Sequence, residues 1–190
     1  MYQPKPIPYK VLSIDAGSRD GLGTTISIFT PEAMTVEHVA THNVLALQKA
    51  SLETVDRYDL IYEVIKKLII EWEVQEVIVE DIFCNPRLVL AYRSLVLTLN
   101  AVRMAIRDTL GSEMHLIRAN VAKAAVGVPM NNGDKTLVNK ALGKKRDNLI
   151  IPEELGLPFM DQHSNDSVAV GYAFYLERIN GYKTNIEDTR

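Results

Sequence analysis

Val11-Leu12-Ser13-Ile14-Asp15-Ala16-Gly17-Ser18-Arg19 decides how the chain is read. Its apolar run, β-branched at Val11 and Ile14, has the pattern of a strand buried on both faces. The run ends on Asp15, a carboxylate that is costly to bury unless a metal ion, an arginine or backbone N–H groups offset its charge. On this stretch alone, Asp15 either faces such a partner or caps the turn at Ala16-Gly17-Ser18.

Working outward, Thr24 to Thr30 reads as a second strand, reached through a hairpin supplied by Gly17, Gly21 and Gly23, and Met34 to Val44 as a third. Short connections make these three an antiparallel meander. From Glu53 to Trp72 the period changes: Leu60, Ile61, Val64, Ile65, Leu68, Ile69 and Trp72 form the stripe of an amphipathic helix. Glu76 to Asp81 follows as a short strand, and a helix between strands brings the next strand in parallel, beside the first. A long helix from Asn85 to Leu110, a fifth strand at Met114 to Ile117 and short helices at Ala119–Val126 and Lys135–Lys145 come next. The stretch from Ile151 to Pro158 is irregular, and a last helix spans Ser164 to Ile179. The expected fold class is α/β, a mixed five-stranded sheet of three antiparallel strands plus parallel strands, with helices on both faces. Residues 10–182 form one domain, 1–9 an N-terminal extension and 183–190 a tail.

Composition narrows the class. The 47% hydrophobic and 24% charged content suits a globular protein, and no stretch approaches the length of a membrane span. Three prolines and two lysines before Val11, with no apolar core, do not make a signal peptide. The single cysteine, Cys84, permits no internal disulfide and reads as a small buried hydrophobe. A cytoplasmic location is expected. The net charge of −3 hides a division: residues 84–146 hold eleven Lys and Arg against three acids, a net +8 that leaves −11 for the rest. Such segregation fits a polyanion-binding face flanked by metal-binding carboxylates, or simply solvated helical faces.

Two more acidic positions resemble Asp15 in placement. Glu80 ends a strand as Asp15 does; on parallel neighbours both emerge in the crevice where open α/β sheets bind ligands, unless Glu80 or Asp81 caps the turn before Asn85. In Asp161-Gln162-His163-Ser164-Asn165-Asp166, His163 and Asp166 are three apart and share a face at a helix start, where an acid also complements the helix dipole. Oxygen-rich sites from two strands and a late helix form a hard-metal pattern, suited to Mg²⁺ with Mn²⁺ as substitute and, with two ions, to phosphodiester hydrolysis.

On these residues the chain resembles the RuvC Holliday junction resolvases of the RNase H-like (retroviral integrase) superfamily, the phage-type members above all. The resemblance runs from about Lys10 to Tyr175. It rests on Ile14-Asp15-Ala16-Gly17-Ser18-Arg19, Val79-Glu80-Asp81-Ile82-Phe83, Val121 to Gly127 with Asp134-Lys135, and His163-Ser164-Asn165-Asp166-Ser167. It implies that Asp15, Glu80 and Asp166 are metal-binding catalytic acids, with His163 where the family has Asp or His. It further implies that Lys123 and Lys135 lie near the scissile phosphate and that Phe83 stacks on an unpaired base. Arg87, Arg118 and Lys140 are further candidate DNA contacts. The implied protein is a homodimeric, Mg²⁺-dependent endodeoxyribonuclease resolving four-way and branched DNA, of relaxed sequence specificity and phage origin, with no branch-migration motor as partner. The helix from Asn85 to Leu110 is the candidate dimer interface. Ala16 and the loop Met130-Asn131-Asn132-Gly133 depart from the family pattern. Alternative functions are a non-catalytic branched-DNA-binding protein and an RNase H-like nuclease acting on RNA. Actin-like kinases share the Asp-x-Gly-Ser turn, but they need a duplicated domain that 190 residues do not hold.

Overall fold

The computed structural model describes residues 8–17, 21–44, 46, 56–82, 89–129, 136–156 and 161–179. Its organising element is β1 (Tyr9–Ala16), flanked on one side by antiparallel β2 (Leu22–Phe29) and on the other by parallel β4 (Glu76–Asp81). β3 (Met34–His42) continues the meander beyond β2, and β5 (His115–Arg118) extends the parallel half beyond β4. The sheet has six strands, in the order β5-β4-β1-β2-β3-β6, where the sequence pattern predicts five. The sixth, β6 (Leu149–Ile150), is two residues pairing in parallel with Met34 and Thr35, too short to carry an alternating pattern.

Alternation along β1 separates two cores. Tyr9 and Val11 face one, with Phe29, Met34 and Ile78; Leu12, Ile14 and Ala16 face the other, with Ile26, Val77 and Val79. The second core is closed by α1 (Arg57–Glu71) and α2 (Val89–Leu110). α1 begins after Asp56, whose side chain accepts the Tyr58 N–H at 2.9 Å, and it buries Ile61, Ile65, Leu68 and Ile69 as the periodicity requires. The first core is closed by α3 (Ala119–Ala125), α4 (Leu137–Leu142) and α5 (Gln162–Ile179), so helices cover both faces. Among the described residues no helix is long and apolar enough to cross a membrane.

α5 approaches the sheet along its small side chains. A Cβ on Gly171 would fall 2.6 Å from Ser13 Oγ, and Ser167 Oγ lies 2.6 Å from Thr25 Oγ1. His163, Ser167 and Gly171 recur every four residues, one face of the helix laid on the strands that carry Ser13 and Thr25. Several helix bounds differ from the sequence expectation, α1 among them, which starts at Arg57 after its Asp56 cap rather than at Glu53. α4 is six residues rather than eleven, and α5 starts at Gln162 instead of Ser164, because Asp161 caps it.

Candidate active site

Asp15 belongs to the odd-numbered face of β1, the face toward α5. In β4 the same face carries Ile78, two residues before Glu80, because Ser13 pairs with Ile78 and Ile14 with Val79. Both carboxylates therefore leave the sheet at the carboxyl ends of adjacent parallel strands, on one side, as the spacing predicts. Turn-capping does not explain Asp15: its Oδ2 lies 2.6 Å from His163 Nδ1, across the sheet-to-helix gap. His163 is packed among glycines. A Cβ on Gly17 would sit 2.7 Å from its Cε1, and one on Gly23 would run into its carbonyl oxygen. Only residues without side chains let the helix start lie this close to the hairpin.

Asp166 is one turn into α5, beyond the first-turn amides, so the dipole explanation does not account for it. Gln162 Nε2 donates to its Oδ2 at 3.1 Å. Burial, and then the charge of Asp15, push the Asp166 carboxyl up to about 6. Burial, and then the charges of Asp15 and Asp166, push Glu80 up to about 8, with Asp81 adding to the repulsion. Lys123, on α3, works against both shifts, which places its ammonium in the same electrostatic neighbourhood. His163 moves the opposite way to a merely buried imidazole: the hydrogen bond to Asp15 raises its pKa more than burial lowers it.

The structure thus joins His163 to Asp15 directly and sets Glu80, Asp166 and Lys123 within electrostatic reach of that pair or of one another. Arg118 is exposed at the end of β5, paired in register with Asp81 at the same edge of the sheet. Lys140 is exposed on α4. Phe83, Arg87 and Lys135 lie outside the described residues, as do Cys84 and the Met130 to Gly133 loop. The basic segment is not a single face. Arg103 and Arg107 both pair with Glu113 on the outer side of α2, at 2.9 and 3.6 Å. Arg146 donates to the carbonyls of Ala141 and Val126 at 2.7 Å, a structural role.

Sequence reasoning missed Asp161 and Thr41. Asp161 accepts the Ser164 N–H at 2.9 Å, the Ser164 hydroxyl at 3.1 Å and the Thr41 hydroxyl at 2.6 Å. Burial alone would raise its pKa, but these hydrogen bonds outweigh burial and hold it below the usual carboxylate range. The cap pattern of an acid three residues before Ser164 was available in the sequence, masked by other polar candidates in the same run. Thr41 gave no signal at all.

Whether the crevice suits a metal follows from its donors. Among the described residues no three His, Cys, Asp or Glu side chains close into a ready-made metal cage. Hard cations in phosphate chemistry do not require one, since Mg²⁺ takes one or two carboxylates and keeps water or phosphate elsewhere. Carboxylates pushed up to about 8 and about 6, first by burial and then by one another's charge, are the groups a divalent cation would relieve. The donor set fits.

No family model matches the sequence, and no curated protein matches it. Structural comparison does find chains of the same fold. The architecture is RNase H-like, a mixed sheet with its meander and parallel strands between two helical layers. Within that class its neighbours are RuvC Holliday junction resolvases. T. thermophilus RuvC in complex with a Holliday junction substrate superposes with a TM-score of 0.63 at 18% identity, over 90% of this chain and 96% of that one. T. thermophilus RuvC in a further structure gives 0.62 at 18% identity, with the same coverage. Ydc2, the yeast mitochondrial Holliday junction resolvase, gives 0.55 at 14% identity, over 95% of this chain and 84% of that one.

Proposed function

We propose that this chain is a structure-selective endonuclease that resolves four-way and other branched DNA by metal-dependent phosphodiester hydrolysis. The observation that carries the reading is the placement of Asp15 and Glu80 at the carboxyl ends of adjacent parallel strands, with Asp166 coupled to both from the last helix. Asp15, Glu80 and Asp166 would hold the metal, with His163 at its edge. Bound Mg²⁺ or Mn²⁺ supplies activation of water and stabilisation of the leaving 3′-oxygen, which yields 5′-phosphate ends.

The remaining parts are contributed by side chains of this chain. Lys123, whose charge acts on both Glu80 and Asp166, would offer a positive charge to a phosphate drawn toward the acids. Arg118 and Lys140 are exposed cations on neighbouring elements and would bind backbone phosphates, contacts that position DNA without reading its sequence. Phe83, Arg87 and Lys135 keep the roles the resemblance assigns to them, as proposals. Two symmetric nicks across a junction require two sites, hence a homodimer. Val89, Leu97 and Met104 leave apolar surface exposed on α2, in keeping with that helix as the interface.

The deciding experiment is cleavage of a labelled synthetic four-way junction in Mg²⁺ or Mn²⁺, beside a linear duplex and an RNA–DNA hybrid, with Asp15→Asn as control. Paired nicks on the junction alone, absent from the variant, are expected. Junction binding without metal-dependent cutting would make the protein an architectural DNA binder, and preference for the hybrid would make it an RNA-directed nuclease.

A further inference from the structure

The helix that carries His163 and Asp166 is tied to the sheet at its first turn by side chains other than the candidate catalytic acids. Thr41, near the end of β3, donates its hydroxyl proton to Asp161 Oδ1 at 2.6 Å. Its oxygen also lies 2.8 Å from Ser164 Oγ, and Ser164 closes a triangle onto Asp161 through its N–H at 2.9 Å and its hydroxyl at 3.1 Å. Protons suffice for this network. The Thr41 hydroxyl proton goes to Asp161, and that of Ser164 goes to Asp161 or to the Thr41 oxygen. Thr41 pairs with Gly23 in the β2–β3 ladder, and Gly23 is where the His163 carbonyl presses against the sheet. The latch and the contact point are therefore neighbours.

Its position in the sheet gives this triangle leverage. β3 lies two strands from β1 and three from β4, whereas His163 reaches back to Asp15 and Asp166 is coupled to Glu80. Helix starts are short of hydrogen bonds and fray unless something outside the helix holds them. An ordinary cap would satisfy the helix's own amides; Thr41 adds a fastening to a different element.

We propose that Thr41 is a positioning residue for the acidic crevice. Through Asp161 and Ser164 it fixes the first turn of α5, so that His163 stays on Asp15 and Asp166 keeps its place in the next turn. The inference rests on the metal-site reading given above. Groups one step behind metal ligands act by orienting them, and their loss costs metal affinity rather than folding.

The test is Mn²⁺ affinity of the free, full-length protein by titration calorimetry, without DNA, in wild type, Thr41→Val and Thr41→Ser. Valine matches threonine in shape and suits a strand but cannot donate, and serine restores the hydroxyl. We expect Thr41→Val to weaken Mn²⁺ binding at least about tenfold and Thr41→Ser to remain within about twofold of wild type. Their metal-free thermal midpoints should stay alike. Wild-type affinity in Thr41→Val overturns the proposal, and so does equal weakening in Thr41→Ser. A wild type that binds Mn²⁺ but leaves four-way junctions uncut overturns the nuclease reading and leaves the latch standing; one that binds no Mn²⁺ overturns both.

Discussion

His163 Nδ1 and Asp15 Oδ2 meet at 2.6 Å, joining the last helix to the first strand across 148 positions. This contact, with the burial and then the crowding of Glu80 and Asp166, makes the folded protein take up protons. All three groups have folded pKa values raised above their ordinary ones, Glu80 to about 8 and Asp166 to about 6. A raised folded pKa gives stability that is present below the unfolded value and is lost as pH climbs through the folded one. The metal-free protein should therefore melt at a progressively lower temperature as pH rises from about 4 to about 8. Calorimetric scans in the presence of chelator check this, and a flat profile would contradict the crowding.

Divalent cations should reverse that trend. A ligand that binds only the folded state stabilises it in proportion to its saturation. On the proposed site Mn²⁺ would compete with protons for the same carboxylates, so the rise in melting temperature it produces should be larger at pH 8 than at pH 5.5. The comparison needs only thermal scans with and without the ion.

Glu80→Gln should separate stability from activity. The amide removes a charge that burial and three neighbouring acids disfavour, so the metal-free variant should be more stable than wild type at pH 8. If Glu80 holds the ion as proposed, the variant's junction cleavage should fall by at least about a hundredfold. A cleavage time course beside a melting curve is sufficient.

Arg118→Ala and Lys140→Ala should weaken junction binding evenly across sequences. Each removes one exposed cation, so the slope of log K against log salt should shrink by about 1 for each phosphate no longer neutralised. Fluorescence titrations at several salt concentrations give that slope. Arg146→Ala should instead lower stability, because its guanidinium is spent on the carbonyls of Ala141 and Val126.

Gly171→Ala tests how closely α5 lies on the sheet. The added methyl would meet Ser13 Oγ at 2.6 Å and Met34 Cε at 3.0 Å. Overpacking of this kind costs about 1–3 kcal/mol, or a fall of roughly 2–4 °C in Tm for each kcal/mol in a domain of this size. Combining it with Ser13→Ala removes the nearer obstacle, and the pair should be less destabilised than the sum of the single variants.

Where side-chain period and burial coincide, the fold was legible in the sequence. The run into Asp15, the stripe from Ile61 to Ile69 and the strand ending in Glu80 all follow hydrophobic spacing, and the parallel pairing of β1 with β4 follows from the helix between them. The acids were legible for a related reason: a carboxylate closing an apolar strand is rare enough to stand out. β6 was not, because two residues have no period. Thr41 was not, because a half-buried strand threonine looks the same whether or not its hydroxyl has a partner 120 positions away. The basic segment was read too evenly, since Glu113 recruits two of its arginines into a local cluster.

The crevice draws its acids from β1, from β4 and from α5, the last described element of the chain. A ribosome making this protein therefore releases Asp15 and Glu80 long before Asp166 exists to join them. Until the final helix emerges and settles on Gly23 and Ser13, the nascent chain holds an unfinished pair of carboxylates. Any DNA-cutting centre assembled there is withheld by the order of synthesis itself, and a product truncated before residue 161 would have the sheet's acids without the helix that completes them.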